Sequence, residues 1–171
     1  MPDEFTHVII AFFIAEGMRL DKTWKKTVVI FGSVIPDIYK LLHLIQFIFK
    51  LPSATYRTLS WFFIPLSAIS GSFVMVCIIS LLFFRTDYRK EVFLLLLIGT
   101  ISHLAADLFM WHFSGGSKYF IPFSRFEISF NLVKSENYLM TIVSGVSVGI
   151  YLSIKRIYAL KIYEGFKIKN D

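Results

Sequence analysis

The run Trp61–Phe84 contains no charged side chain and is longer than the ~20 apolar residues that a helix needs to cross a bilayer. A segment of that kind has few places to go in a chain of 171 residues. Water cannot satisfy backbone N–H and C=O groups inside hydrocarbon, so such a segment folds as a helix that bonds within itself. Four further apolar stretches accompany it: His7–Leu20, Thr27–Phe49, Glu91–Phe113 and about Tyr138–Ile154. With 56% hydrophobic residues and 19 phenylalanines, the composition is too apolar for a soluble domain of this size. The expected fold is an all-α integral membrane helical bundle of about five hydrophobic segments. It forms a single domain over 1–171, with a short, frayed basic tail from about 155.

The segments are not equivalent. His7–Leu20 is short for a full crossing, and Pro36-Asp37 interrupts Thr27–Phe49. Proline removes a helical hydrogen bond and biases the preceding residue, Ile35, away from helical geometry, so this segment should break there. Non-helical backbone at membrane depth is tolerated only when buried in protein or lining a cavity, which marks Pro36-Asp37 as a candidate site. Pro52–Ser60 reads as a polar connection, and Ser114–Asn137 as the longest one. Gly71 and neighbouring serines, and Gly145 with Gly149, read as small packing surfaces.

The formal charge of +6 does not point to nucleic acid. The basic residues do not form a stripe with interleaved aromatics; they sit between the apolar runs. Most of the 18 Lys and Arg fall in Arg19–Lys26, Arg85–Lys90 and Lys155–Lys169. By the positive-inside rule these three clusters face the cytoplasm, which places the chain in the cell membrane as a multi-pass protein with a cytoplasmic C-terminus. The lone Cys77 reads as a small packing residue.

Chemistry concentrates between Gly99 and Ser124. His103 and Asp107, at i and i+4 within an apolar run, share one helix face with Cβ atoms about 5–6 Å apart. An ionised Asp in a membrane helix costs about 2.5–3.5 kcal/mol and faces a partner, a metal or a water-filled cavity. The other histidines are His7, His43 and His112. His112 falls on the opposite face from His103, Glu16 on the opposite face from His7, and His43 reads as interfacial. His7, Asp37, His103 and Asp107 can therefore meet in the outer half of one bundle. Two imidazoles with one or two carboxylates around an open position suit zinc or a similar divalent metal, whose bound water becomes a nucleophile near neutral pH. The bland alternatives are a hydrogen-bonded lock between helices for His103–Asp107, a helix-start role for His7, and helix capping for Asp37. No G-x-S-x-G, H-E-x-x-H or P-loop motif occurs.

Thr6-His7, Gly32-Ser33-Val34-Ile35-Pro36-Asp37, His103-Leu-Ala-Ala-Asp107 and Ile121-Pro122-Phe123-Ser124 come in an order that resembles the YdjM-like membrane-bound metal-dependent hydrolases. These are also called LexA-binding, inner-membrane-associated hydrolases. The likeness covers most of residues 1–125. It implies His7, Asp37, His103 and Asp107 as metal ligands, with Pro122–Ser124 as a structural element beside them. A distant similarity of that family to zinc-dependent phospholipase C and P1 nuclease implies a phosphoester substrate, such as a lipid headgroup reached from the bilayer. Many members also carry a histidine between the Pro-Asp and His-x-x-x-Asp motifs, where this chain has Thr58-Leu59-Ser60 and Phe62-Phe63-Ile64-Pro65. That departure sets a second expectation beside the hydrolase: a non-catalytic membrane scaffold or partner-binding protein that keeps the site as a polar lock. The sequence names no protein partner for it.

Overall fold

A computed structural model describes residues 3–83, 86–111, 120–121, 123–124, 126–130, 132–134 and 138–170; at 3–4, 111, 133 and 160–170 the backbone alone is described. Most of the described residues are helical. Helix α1 is Asp3–Gly17 and α2 is Thr23–Val34, followed by a 3-10 turn at Ile35–Tyr39 and α3 at Lys40–Phe49. Next come α4 (Ser53–Phe63), a second 3-10 turn (Ile64–Ser67), α5 (Ile69–Leu81), α6 (Arg89–Phe109) and α7 (Tyr138–Asn170). A two-residue parallel pairing of β1 (Met110–Trp111) with β2 (Val133–Lys134) follows the end of α6. There, the N–H groups of Phe130 and Leu132 donate to the carbonyls of Leu108 and Phe109, satisfying two of the four carbonyls that a helix C-terminus leaves open.

Among the described residues, three helices are long and apolar enough to cross a membrane, Thr23–Phe49, Arg89–Phe109 and Tyr138–Ala159; a fourth crossing is formed if Ser53–Ser67 and Ile69–Leu81, bent by 86°, count as one. The α-helical ladder breaks at Pro36 as expected, but into a 3-10 turn that keeps the segment continuous. Ile35 itself stays helical at φ −55° and ψ −46°.

Four expectations need correction. Trp61–Phe84 is not one straight span: Pro65 tightens the backbone into the second 3-10 turn, Ala68 is extended, and the chain turns sharply before α5. Residues read as the polar connection Pro52–Ser60 lie largely within α4. Gly71 serves that turn rather than a neighbouring helix, because a Cβ there would strike the backbone of Pro65 and Leu66. Finally, α7 does not fray at 155 but continues as helix to Asn170. Gly145 and Gly149 on it have nothing within 4 Å of a built Cβ.

The bundle is organised around the crossing of α2 and α6. A Cβ on Gly32 would collide with the backbone of Leu96, and one on Gly99 with the carbonyl of Val29. These two glycines let the backbones approach as small residues do in membrane helix pairs. The Thr100 hydroxyl donates to the Gly32 carbonyl at 3.0 Å and ties the crossing. On α1, Ala11 and Ala15 are fully buried against Val29 and Leu95. They share a face with His7 at i+4 spacing, so the stripe that packs α1 into the bundle also carries its histidine inward. A second apolar cluster joins Ile35, Val76, Val92 and Leu96. On α6, Val92, Leu96, Gly99 and His103 lie along one face, and the packing that buries the first three delivers the fourth.

Candidate metal centre

Three elements build the centre. His7 from α1 and His103 from α6 are 2% and 1% exposed, and their rings stack with centroids 3.9 Å apart and planes at 24°. Asp107, one turn beyond His103, reaches both: Oδ1 lies 3.1 Å from His7 Nε2, and Oδ2 lies 3.4 Å from His103 Nε2. One ligand atom from each of His7, His103 and Asp107 lies within 4.8 Å of the others.

The backbone of α2 sets the state of His103. Its Nδ1 is 2.6 Å from the carbonyl oxygen of Ser33, which can only accept, so Nδ1 carries the proton. In the neutral ring Nε2 then presents its lone pair toward Asp107. A carbonyl on the distal ring nitrogen is the usual arrangement behind a metal-ligating histidine, where it fixes tautomer and orientation. It is available because Gly32 and Gly99 bring α2 and α6 into backbone contact one residue, and one helical turn, away. His7 differs in that its Nδ1 is buried and has no hydrogen-bond partner among the described residues.

This donor set fits a divalent ion. Bonds of about 2.0–2.1 Å in a tetrahedral zinc site place ligand atoms about 3.3 Å apart; here one ligand atom from each residue lies within 4.8 Å of the others, so an ion would draw the three side chains together. Two neutral nitrogens and one carboxylate are also a common zinc donor set. The unpartnered nitrogen of His7 is Nδ1, whereas Nε2 is the one that faces Asp107 and would ligate.

Asp37, from the 3-10 turn after α2, stands at the edge of the group. Its Oδ1 is 3.7 Å from His103 Nε2 and accepts from Lys40 Nζ at 2.9 Å. The structure thus gathers His7, His103 and Asp107 tightly, with Asp37 beside His103 and already paired. His43 is elsewhere, its Nδ1 2.7 Å from the Tyr56 hydroxyl. His112 and Pro122 lie outside the described residues. In place of a central histidine, the hydroxyls of Thr58 and Ser60 bond back to carbonyls of their own helix.

Two participants escape a reading by residue type and spacing. Ser33 acts through its carbonyl, which any residue would supply; the nearest signal is the glycine pair that admits it. Glu16 is set aside as a ligand, yet it anchors a second polar cluster. It accepts from Lys26 at 2.7 Å, from the Tyr151 hydroxyl at 2.7 Å and from Lys155 at 2.9 Å, joining α1, α2 and α7.

Comparison with known proteins gives one result. The family model described as YdjM inner membrane protein matches residues 1–164. No curated protein and no solved structure matches. The match spans nearly the whole chain, and the chain belongs to that family.

Proposed function

We propose that this YdjM-family inner membrane protein is a metal-dependent hydrolase whose buried His7, His103 and Asp107 hold one divalent metal, zinc by donor set, with Asp37 as an adjoining carboxylate. When bound, the metal supplies a water of lowered pKa and a Lewis acid for a phosphoryl oxygen. The chain's own residues do the rest. Ser33 holds the Nδ1 proton of His103 so that Nε2 stays free to ligate. Asp107 offers an oxygen to each ring and balances the positive charge, and the α2–α6 crossing excludes bulk water from behind the imidazoles. Asp37, 3.7 Å from His103 and held by Lys40, is placed to accept a proton at its carboxylate oxygen. The substrate class inferred from the family's distant likeness to phospholipase C is a phosphoester, with a lipid headgroup the natural form in a bilayer.

The observation that carries the metal reading is the Ser33 carbonyl on His103 Nδ1 beside a stacked His7 whose Nε2 faces the same carboxylate. Elemental analysis of protein purified without added chelator tests it. One metal per chain is expected, lost in His103→Ala; absence of metal from the native protein, or unchanged occupancy in the variant, overturns it.

The Lys40–Asp37 pair favours a second reading, a non-catalytic scaffold in which the same residues lock the helices together. That reading expects Asp107→Asn to preserve both fold and function. We also infer that the C-terminus is cytoplasmic. The supporting observation is that the basic clusters meet at one end of the bundle: Lys26 and Lys155 share Glu16, Lys25 pairs with Glu91 at 2.5 Å, and Trp24 packs on Tyr88.

A further inference from the structure

Helix α4 has no buried residue, yet one of its faces lines a cavity of about 810 Å³. The lining residues Ser53, Tyr56, Arg57, Ser60, Trp61 and Ile64 follow i, i+3, i+4, i+7, i+8, i+11, a single helical stripe. Pro65 from the second 3-10 turn and Ile121 close the cavity. The Ile121 carbonyl is fixed by the Ser70 hydroxyl at 2.9 Å.

The stripe is graded along its length. Its first half holds hydroxyls and one cation; its second half is Trp61, Ile64 and Pro65. The guanidinium of Arg57 has no hydrogen-bond or ion-pair partner among the described residues, unlike Lys25, Lys26, Lys40 and Lys155, which are paired. The neighbouring Tyr56 hydroxyl is held by His43 at 2.7 Å, so the ring that walls the cation is fixed in place. An unpaired guanidinium beside hydroxyls matches a phosphate diester, which it can grip with two parallel N–H···O bonds. The indole and proline match the first carbons of an acyl chain.

We propose that this cavity seats one anionic phospholipid of the bilayer, its phosphate at Arg57 and its glycerol and proximal acyl carbons against Trp61, Ile64 and Pro65. The seat names a substrate class for the hydrolase reading and depends on that reading only for the reaction. The 3-10 turn carrying Asp37 packs on both α4 and the second 3-10 turn, so the seated lipid and the metal centre share a wall.

The test uses full-length protein, delipidated in detergent and offered phosphatidylglycerol or phosphatidylcholine of matched chains, with retention read by native mass spectrometry. Wild type is expected to prefer phosphatidylglycerol, and Arg57→Gln to lose about tenfold of that preference, the worth of one charge-assisted contact. Arg57→Lys should restore part of it. Trp61→Ala should weaken retention of both lipids alike. Equal preference in Arg57→Gln and wild type overturns the proposal. So does displacement of the lipid by millimolar inorganic phosphate alone, which would mark a site for the free ion. His103→Ala separates the two readings. It should lose metal and keep lipid preference; loss of the preference would overturn an independent seat, whereas a metal-free wild type that retains the preference would sink only the hydrolase.

Discussion

Glu16 and Asp107 are both carboxylates drawn into an apolar bundle, and His7, which meets Asp107, stands about 13 Å from Glu16 along α1. Their partners differ in kind. Glu16 is surrounded by permanent donors, two ammonium groups and a phenol, so its charge and lone pairs are already answered. Asp107 faces two imidazoles that are neutral unless protonated, one of them fixed as a lone-pair donor by Ser33. The first cluster is complete as it stands. The second sets a carboxylate against two imidazoles, a group that could hold a metal ion. A buried charge points to a site when the neighbours it meets can themselves ligate.

The comparison breaks most severely at Gly99. Gly99→Val drives a side chain into the Val29 carbonyl, and overpacking against backbone that cannot give is expected to cost about 3 kcal/mol or more. Separation of α2 from α6 also withdraws the Ser33 carbonyl, so melting temperature and metal content should fall together. Nearly as large is removal of the metal. A chelator should lower the stability of wild type by about 2.7 kcal/mol where free metal had been a hundredfold above Kd. Asp107→Asn should lose that response, and a wild type whose melting temperature ignores the chelator would mark a lock instead.

Glu16→Ala sharpens the contrast from the other side. Lys155 is 52% exposed and keeps most of its hydration, so the expected loss is only about 1–2 kcal/mol, with metal content unchanged. Replacing Glu16, Lys26 and Lys155 together by apolar residues should recover that stability, because a polar cluster without a ligand can be exchanged for packing. The smallest effect concerns the loop between α1 and α2. There Lys25 donates to Asp21 and holds its carboxyl below the ordinary value. The pair's contribution is present above that ordinary value, about 3.9, and is lost as pH falls through the lowered one. Asp21→Asn should flatten that acid limb of the melting curve and leave neutral pH almost untouched.

Much of this was legible in the residues themselves. His103 and Asp107 declare their shared face because helical spacing is local, and Pro36 announces its 3-10 turn for the same reason. His7 and Asp37 come from other elements; the deduced topology and the Pro36 break made them candidates and the family resemblance implied them as ligands, but their place beside His103 follows from packing that no spacing encodes. Pro65 carried the same warning as Pro36, but an uncharged run disguised it as one straight span. Glu16 was misjudged by being tested only as a ligand. A charge in an apolar helix needs a partner, and opposite charges in two other segments, Lys26 and Lys155, were present to be matched with it.

The 86° bend between the helices flanking the second 3-10 turn has a mechanical consequence. With α5 packed on α6, α4 and its 3-10 turn run nearly at right angles to α5, so the pair reaches less far along α5 than the same residues would as one straight helix.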